Sequence, residues 1–228
     1  MMPVSVEIRR GTVRFVSRAA GRETKHAFAF GEHYDPERLS FGPIVCHDDH
    51  HLRGGTGFEA HRHTDLEIVT YVVSGALEHT HADPDGAGAA AEPVRVEAGS
   101  LALLSAGAGV SHSEVAVSGA GPVRFVQVWL RPDEPGATPS YAVHPDATSL
   151  EVPGVAGARL DVVRLGTGGT TTLPEAARVH AFVSRGALVR SSLAEPVQAG
   201  DAFLFVDEPA HEVTAAVPTE LLVWSFRS

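Results

Sequence analysis

The stretch His61–Val73, HRHTDLEIVTYVV, carries two signals from which the fold is read. Its second part, Glu67–Val73, is a run of β-branched and aromatic residues, the composition of a buried strand. Its first part sets His61 and His63 one residue apart, and in a strand residues i and i+2 point to the same face. About fifty residues later His112 and Glu114 repeat that spacing. Two such strands facing each other would set three imidazoles and a carboxylate around one metal ion.

Outward from this stretch the chain reads as further short strands between Gly, Pro and Asp. They include Ser100–Leu104, Val123–Leu130, Leu160–Arg164, Ala181–Ser184, Ala202–Val206 and Leu221–Phe226. No apolar helical pattern persists beyond about three turns. The expectation is an all-β sandwich or barrel. The two halves resemble each other. Ser74-Gly75-Ala76-Leu77 recurs as Arg185-Gly186-Ala187-Leu188, and Ala98-Gly99-Ser100 as Ala199-Gly200-Asp201. His112 has a counterpart in His211, and Val128-Trp129 in Val223-Trp224. The expected division is a first β-domain over 1–131, a proline-rich linker over 132–148 and a second β-domain over 149–228. The Gly75-to-Gly186 offset carries His61 onto Thr172, His63 onto Pro174 and Glu67 onto Arg178, while Glu114 falls near Val213. The second half is therefore expected to keep the frame and to hold no metal.

The 228 residues are 43% hydrophobic and 20% charged, with a formal net charge of -10. That balance argues against capture by nucleic acid or an anionic membrane. No run approaches the roughly 20 apolar residues of a membrane span. The first residues, MMPVSVEIRRGTVRF, lack the apolar core of a signal peptide. Cys46 is the lone cysteine, read as a packed residue. The expected setting is the cytoplasm, and the expected state a monomer.

Imidazole and carboxylate donors suit Fe(II), Mn, Ni, Co, Cu or Zn. Three His and one Glu on a six-coordinate ion leave positions open, which favours oxygen chemistry over a structural role. Gly55, His61, His63, Glu67 and Gly75 follow the spacing of the first cupin motif. The stretches Gly75–His79, Ala106–Val110, His112–Glu114 and Val126–Trp129 resemble the pirin family more narrowly. That resemblance implies a bicupin, two β-barrel (double-stranded β-helix) domains packed face to face, with one iron in the first. It implies His61, His63, His112 and Glu114 as metal ligands, and excludes Glu67. It also implies a quercetin 2,3-dioxygenase that opens the central ring of a flavonol-like aromatic substrate with O2 and releases carbon monoxide. Glu114 would be both ligand and catalytic base. The alternative is a non-catalytic iron-binding protein that acts as a regulatory protein partner.

The sequence departs from the family at Arg62, where proline is usual, at Ser100, and at Ala102–Leu104. If Ala102–Leu104 line the cavity, the substrate changes. His79 and His81 are expected to line the cavity or order the barrel edge. The polar run His47–His51 is expected to be a solvated loop, Ala82–Glu92 a mobile hairpin loop, and His211 a hydrogen-bonded remnant.

Overall fold

A computed structural model describes residues 5–82, 92–189 and 195–227. The chain divides into two compact units, Phe15–Ala147 and a second made of Met1–Arg14 with Thr148–Ser228. After β1 (Val6–Arg9) the first unit holds β2 (Phe15–Ala19), β3 (Arg22–His26), β4 (Ile44–Leu52), β5 (Gly57–His63), β6 (Glu67–Ser74) and β7 (Ala76–Ala82). It continues with β8 (Val94–Glu97), β9 (Leu101–Ser105), β10 (Val110–Ala116), β11 (Val123–Leu130) and β12 (Ser140–His144). The second unit adds β13 (Ser149–Glu151), β14 (Ala158–Leu165), β15 (Thr170–Leu173), β16 (Ala176–Arg185) and β17 (Ala187–Leu188). It closes with β18 (Val197–Gln198), β19 (Ala202–Glu208), β20 (His211–Thr214) and β21 (Thr219–Phe226). No α-helix occurs among the described residues, so none is long and apolar enough to cross a membrane. The all-β expectation holds.

In the first unit a seven-stranded sheet, β12-β9-β6-β11-β4-β3-β2, accompanies a four-stranded one, β5-β10-β7-β8. Leu52, Val72, Ala102 and Phe125 of the large sheet meet Leu77, Val96 and Ala116 of the small one in a common core. Burying these side chains at about 25 cal/mol per Å² holds the two sheets together. In the second unit β1-β19-β16-β21-β14-β13 form one sheet, with the small pairs β15-β20 and β17-β18. Its core gathers Val179, Val183, Phe203, Phe205 and Val223 with Leu173, Leu188 and Val213.

The duplication read from sequence is a duplication of pairing. β4-β11-β6-β9, β5-β10 and β7-β8 recur as β14-β21-β16-β19, β15-β20 and β17-β18. The local hydrogen bonds recur too. Ala98 N–H donates to Gly75 O at 3.0 Å and Ala199 N–H to Gly186 O at 2.9 Å. Gly99 N–H donates to Val72 O at 2.8 Å and Gly200 N–H to Val183 O at 2.9 Å.

Three expectations meet a different structure. β12 lies inside the stretch 132–148 read as a linker, where it pairs with β9 and packs Tyr141 and Val143 on the core. β1 belongs to the second unit, paired with β19. The run His47–His51, read as a solvated loop, is the middle of β4, and His47, Asp48, Asp49 and His50 are all buried. The polarity of Asp48, Asp49 and His50 is matched by partners on neighbouring strands, as buried polar groups require. Arg124 makes a two-pronged pair to Asp49 at 2.9 and 2.8 Å, Thr24 bonds His50 at 2.8 Å, and His26 bonds Asp48 at 2.8 Å. The loop expected over Ala82–Glu92 lies almost wholly outside the described residues.

Candidate metal centre

β5 and β10 pair antiparallel and place His61 directly opposite His112, with His63 opposite Val110. A bulge between His112 and Glu114 shifts the register, so Glu114 faces Phe58. Along β10, Val110, His112, Glu114 and Ala116 are buried and the residues between them are half-buried. This is the period of two expected of a strand with one face inward. The imidazole rings of His61, His63 and His112 lie with centroids 4.4 to 5.0 Å apart. One ligand atom from each falls within 4.8 Å of the other two, the one such group among the described residues.

In His61 and in His112 one ring nitrogen is committed and the other is spare. His61 Nδ1–H donates to the Glu59 carbonyl at 2.7 Å, which fixes the tautomer and leaves Nε2 with its lone pair. His112 Nδ1 is 3.1 Å from His79 Nε2, so its Nε2 is again the spare atom. The Nε2 atoms of His63 and His112 are buried without a hydrogen-bond partner. Burial first, then the neighbouring imidazoles, pull the pKa of His63 down to about 4, and the same causes hold His112 lower still. Near neutral pH His63 and His112 are therefore uncharged and hold their lone pairs close together. A bound divalent cation relieves that arrangement, and the residues fit one.

Glu114 is 3% exposed, and its carboxylate lies outside the tight group of imidazole nitrogens. Gln127 Nε2 donates to its two oxygens at 2.8 and 2.9 Å, and Trp129 Nε1–H donates to Gln127 Oε1 at 2.9 Å. Burial pushes the Glu114 pKa up to about 7 against the pull of Gln127 and Thr70. Glu114, His61, Gln127 and Trp129 share the wall of a cavity of about 360 Å³ with Phe30 and Phe58. That volume lies in the range of small-molecule sites.

Other singled-out residues fall into place. His79 is buried, stacks on Tyr141 at 3.9 Å and braces His112. Glu67 accepts from Ser105 at 2.5 Å and is not in the imidazole group. Arg62 is exposed, and Ala102–Leu104 are buried outside the cavity wall. Cys46 is buried, and burial raises its pKa well above the usual thiol value. In the second unit His211 sits opposite Leu173 and bonds Glu208 at 3.0 Å. Sequence reasoning missed Gln127, Thr70 and the cavity-facing residues of β3 and β4. The one available signal was Gln127 set two residues before Trp129 on a strand face.

The sequence profile of the Pirin family matches residues 9–130. A Mycobacterium bovis protein provisionally named quercetin 2,3-dioxygenase is 35% identical over 245 residues, spanning 100% of this chain and 97% of that relative. Quercetin 2,3-dioxygenase of Escherichia coli K12 is 37% identical over 116 residues, 51% of this chain and 47% of that protein. A crystal structure of a bacterial pirin from Escherichia coli in complex with nickel(II) superposes with a TM-score of 0.86 at 26% identity. That superposition covers 97% of this chain and 99% of the solved one.

Proposed function

The chain belongs to the pirin family, and from that premise we propose that it is a metal-dependent dioxygenase of quercetin 2,3-dioxygenase type. The relatives named for that activity support the reading. The observation that carries it is the set of three imidazoles with spare inner nitrogens beside a buried carboxylate on one aromatic-walled cavity. His61, His63 and His112 would hold a single divalent ion, with Glu114 as the fourth residue. The bacterial pirin solved with nickel(II) supports a divalent ion, and Fe(II) is our choice for this chain. When bound, such an ion supplies Lewis-acid stabilisation of a phenolate and a place to orient dioxygen.

The residues do the rest. Phe30, Phe58 and Trp129 give the cavity flat apolar surfaces on which an aromatic substrate can stack. Glu114 takes the proton of the flavonol hydroxyl: it is buried in the wall that holds His61, whereas Asp48, the other buried carboxylate there, is bonded to His26. Gln127 holds both its oxygens and so fixes the carboxylate for proton transfer. Protein loaded with Fe(II) should consume O2 and release carbon monoxide when quercetin is added. Metal-loaded protein that takes up no O2 with a panel of flavonols would overturn the reading and leave the non-catalytic one.

A further inference from the structure

A second constellation opens on the same cavity. Ser17, His26 and Asp48 stand on the neighbouring strands β2, β3 and β4, and all three are in the cavity wall. Asp48 lies directly opposite His26 in the register, and Ser17 lies opposite Thr24, two residues before His26. Asp48 Oδ2 is 2.8 Å from His26 Nδ1, and His26 Nε2 is 2.9 Å from Ser17 Oγ. His26 and Asp48 are buried, whereas Ser17 is exposed. The row reaches an accessible hydroxyl on Ser17.

The proton positions follow from the donors available. A carboxylate only accepts, so His26 presents Nδ1–H to Asp48, and the tautomer with its lone pair on Nε2 is the one that can take a proton from Ser17. In that tautomer the Ser17 hydroxyl donates to His26 Nε2, and His33 Nε2 lies 3.3 Å from Ser17 Oγ. Hydroxyl, imidazole and carboxylate in this order and at these distances activate a serine for acyl transfer.

We propose that Ser17, His26 and Asp48 form a second catalytic site that hydrolyses aryl esters. Ser17 and His26 are its catalytic residues, and Asp48 is a positioning residue. The aromatic wall sets the substrate class, and Arg22, whose guanidinium lies 4.2 Å from the Phe58 ring centroid, brings positive charge for an oxyanion. Ser17 Oγ adds to the ester carbonyl carbon while its proton passes to His26 Nε2. Collapse of the adduct breaks the ester C–O bond, and His26 returns the proton to the departing phenolate oxygen. Water then repeats the sequence on the acyl-serine, giving a carboxylic acid and free Ser17. Water is the only co-reactant, and nothing is oxidised or reduced.

The site also connects to the ring opening. Loss of the hydroxyl-bearing carbon of a flavonol as carbon monoxide leaves its two aromatic rings joined by an ester. That connection rests on the dioxygenase reading, whereas the triad itself contains none of the proposed metal-holding residues.

The test uses the full-length metal-loaded protein with 4-nitrophenyl benzoate as the ester and a fluorophosphonate as the covalent probe. Ester hydrolysis should saturate, and Ser17→Ala should lower it about 100-fold or more. The probe should modify the protein once, at Ser17 by peptide mapping. Asp48→Asn should lose comparable rate and Asp48→Glu should restore part of it. Hydrolysis no faster than in buffer, an unchanged rate in Ser17→Ala, or a label elsewhere overturns the proposal. Quercetin-dependent O2 uptake is followed on the same preparation. Uptake without ester hydrolysis sinks the triad alone, and hydrolysis without uptake sinks the dioxygenase reading alone.

Discussion

His112 joins the candidate metal centre to the strands that support it. Its ring meets those of His61 and His63, and its Nδ1 meets His79, which is stacked on Tyr141. Replacing His79 with Phe preserves that stacking and removes the brace. The expected outcome is metal affinity weakened about 10–100-fold with little loss of fold, read by competition with a chelator. Unchanged affinity would show that packing alone orients His112. At this scale the paired histidines were legible, because alternation along a strand converts a spacing into a shared face. Gln127 was not, because nothing local marks a residue whose partner, Glu114, lies thirteen positions away on another strand.

Strand β4 shows where sequence patterning fails at the scale of an element. Five polar residues in a row carry no hydrophobic alternation, so His47–His51 reads as a loop. The partners that permit burial sit on β3 and β11, and only tertiary pairing reveals them. The duplicated turns were legible for the opposite reason, since their glycines answer a local demand. Gly75 and Gly186 have φ of 78° and 79°, and an added Cβ would lie 2.6 Å from Pro122 O in one and 2.3 Å from Pro218 O in the other. Gly186→Ala should therefore destabilise by about 1–3 kcal/mol, measured by urea unfolding. A midpoint equal to that of the unsubstituted protein would mean that this turn relaxes freely.

Across the whole molecule, stability should fall on mild acidification. His180 is completely buried in β16, and burial, aided by Arg14 and Arg9, lowers its pKa to about 3 from the ordinary 6.5. The folded state keeps it neutral while the unfolded chain takes a proton below that ordinary value. Its contribution is thus present above pH 6.5 and is lost as pH falls toward 3, about 2 kcal/mol by pH 5. His50, lowered to about 4, adds to the same slope. Melting temperatures of the wild type should drop more between pH 7 and 5 than those of His180→Phe; parallel curves would contradict this.

The two units share one plan of strand pairing and differ in what it carries. Where β5 and β10 bring His61, His63 and His112 together, β15 and β20 set Thr172 opposite Glu212 and Leu173 opposite His211. Elemental analysis of the purified, metal-loaded protein tests the resulting claim of one metal in one barrel. The account predicts one equivalent in the wild type, near zero in His61→Ala and one in His211→Ala. Two equivalents in the wild type, or one retained in His61→Ala, would contradict it.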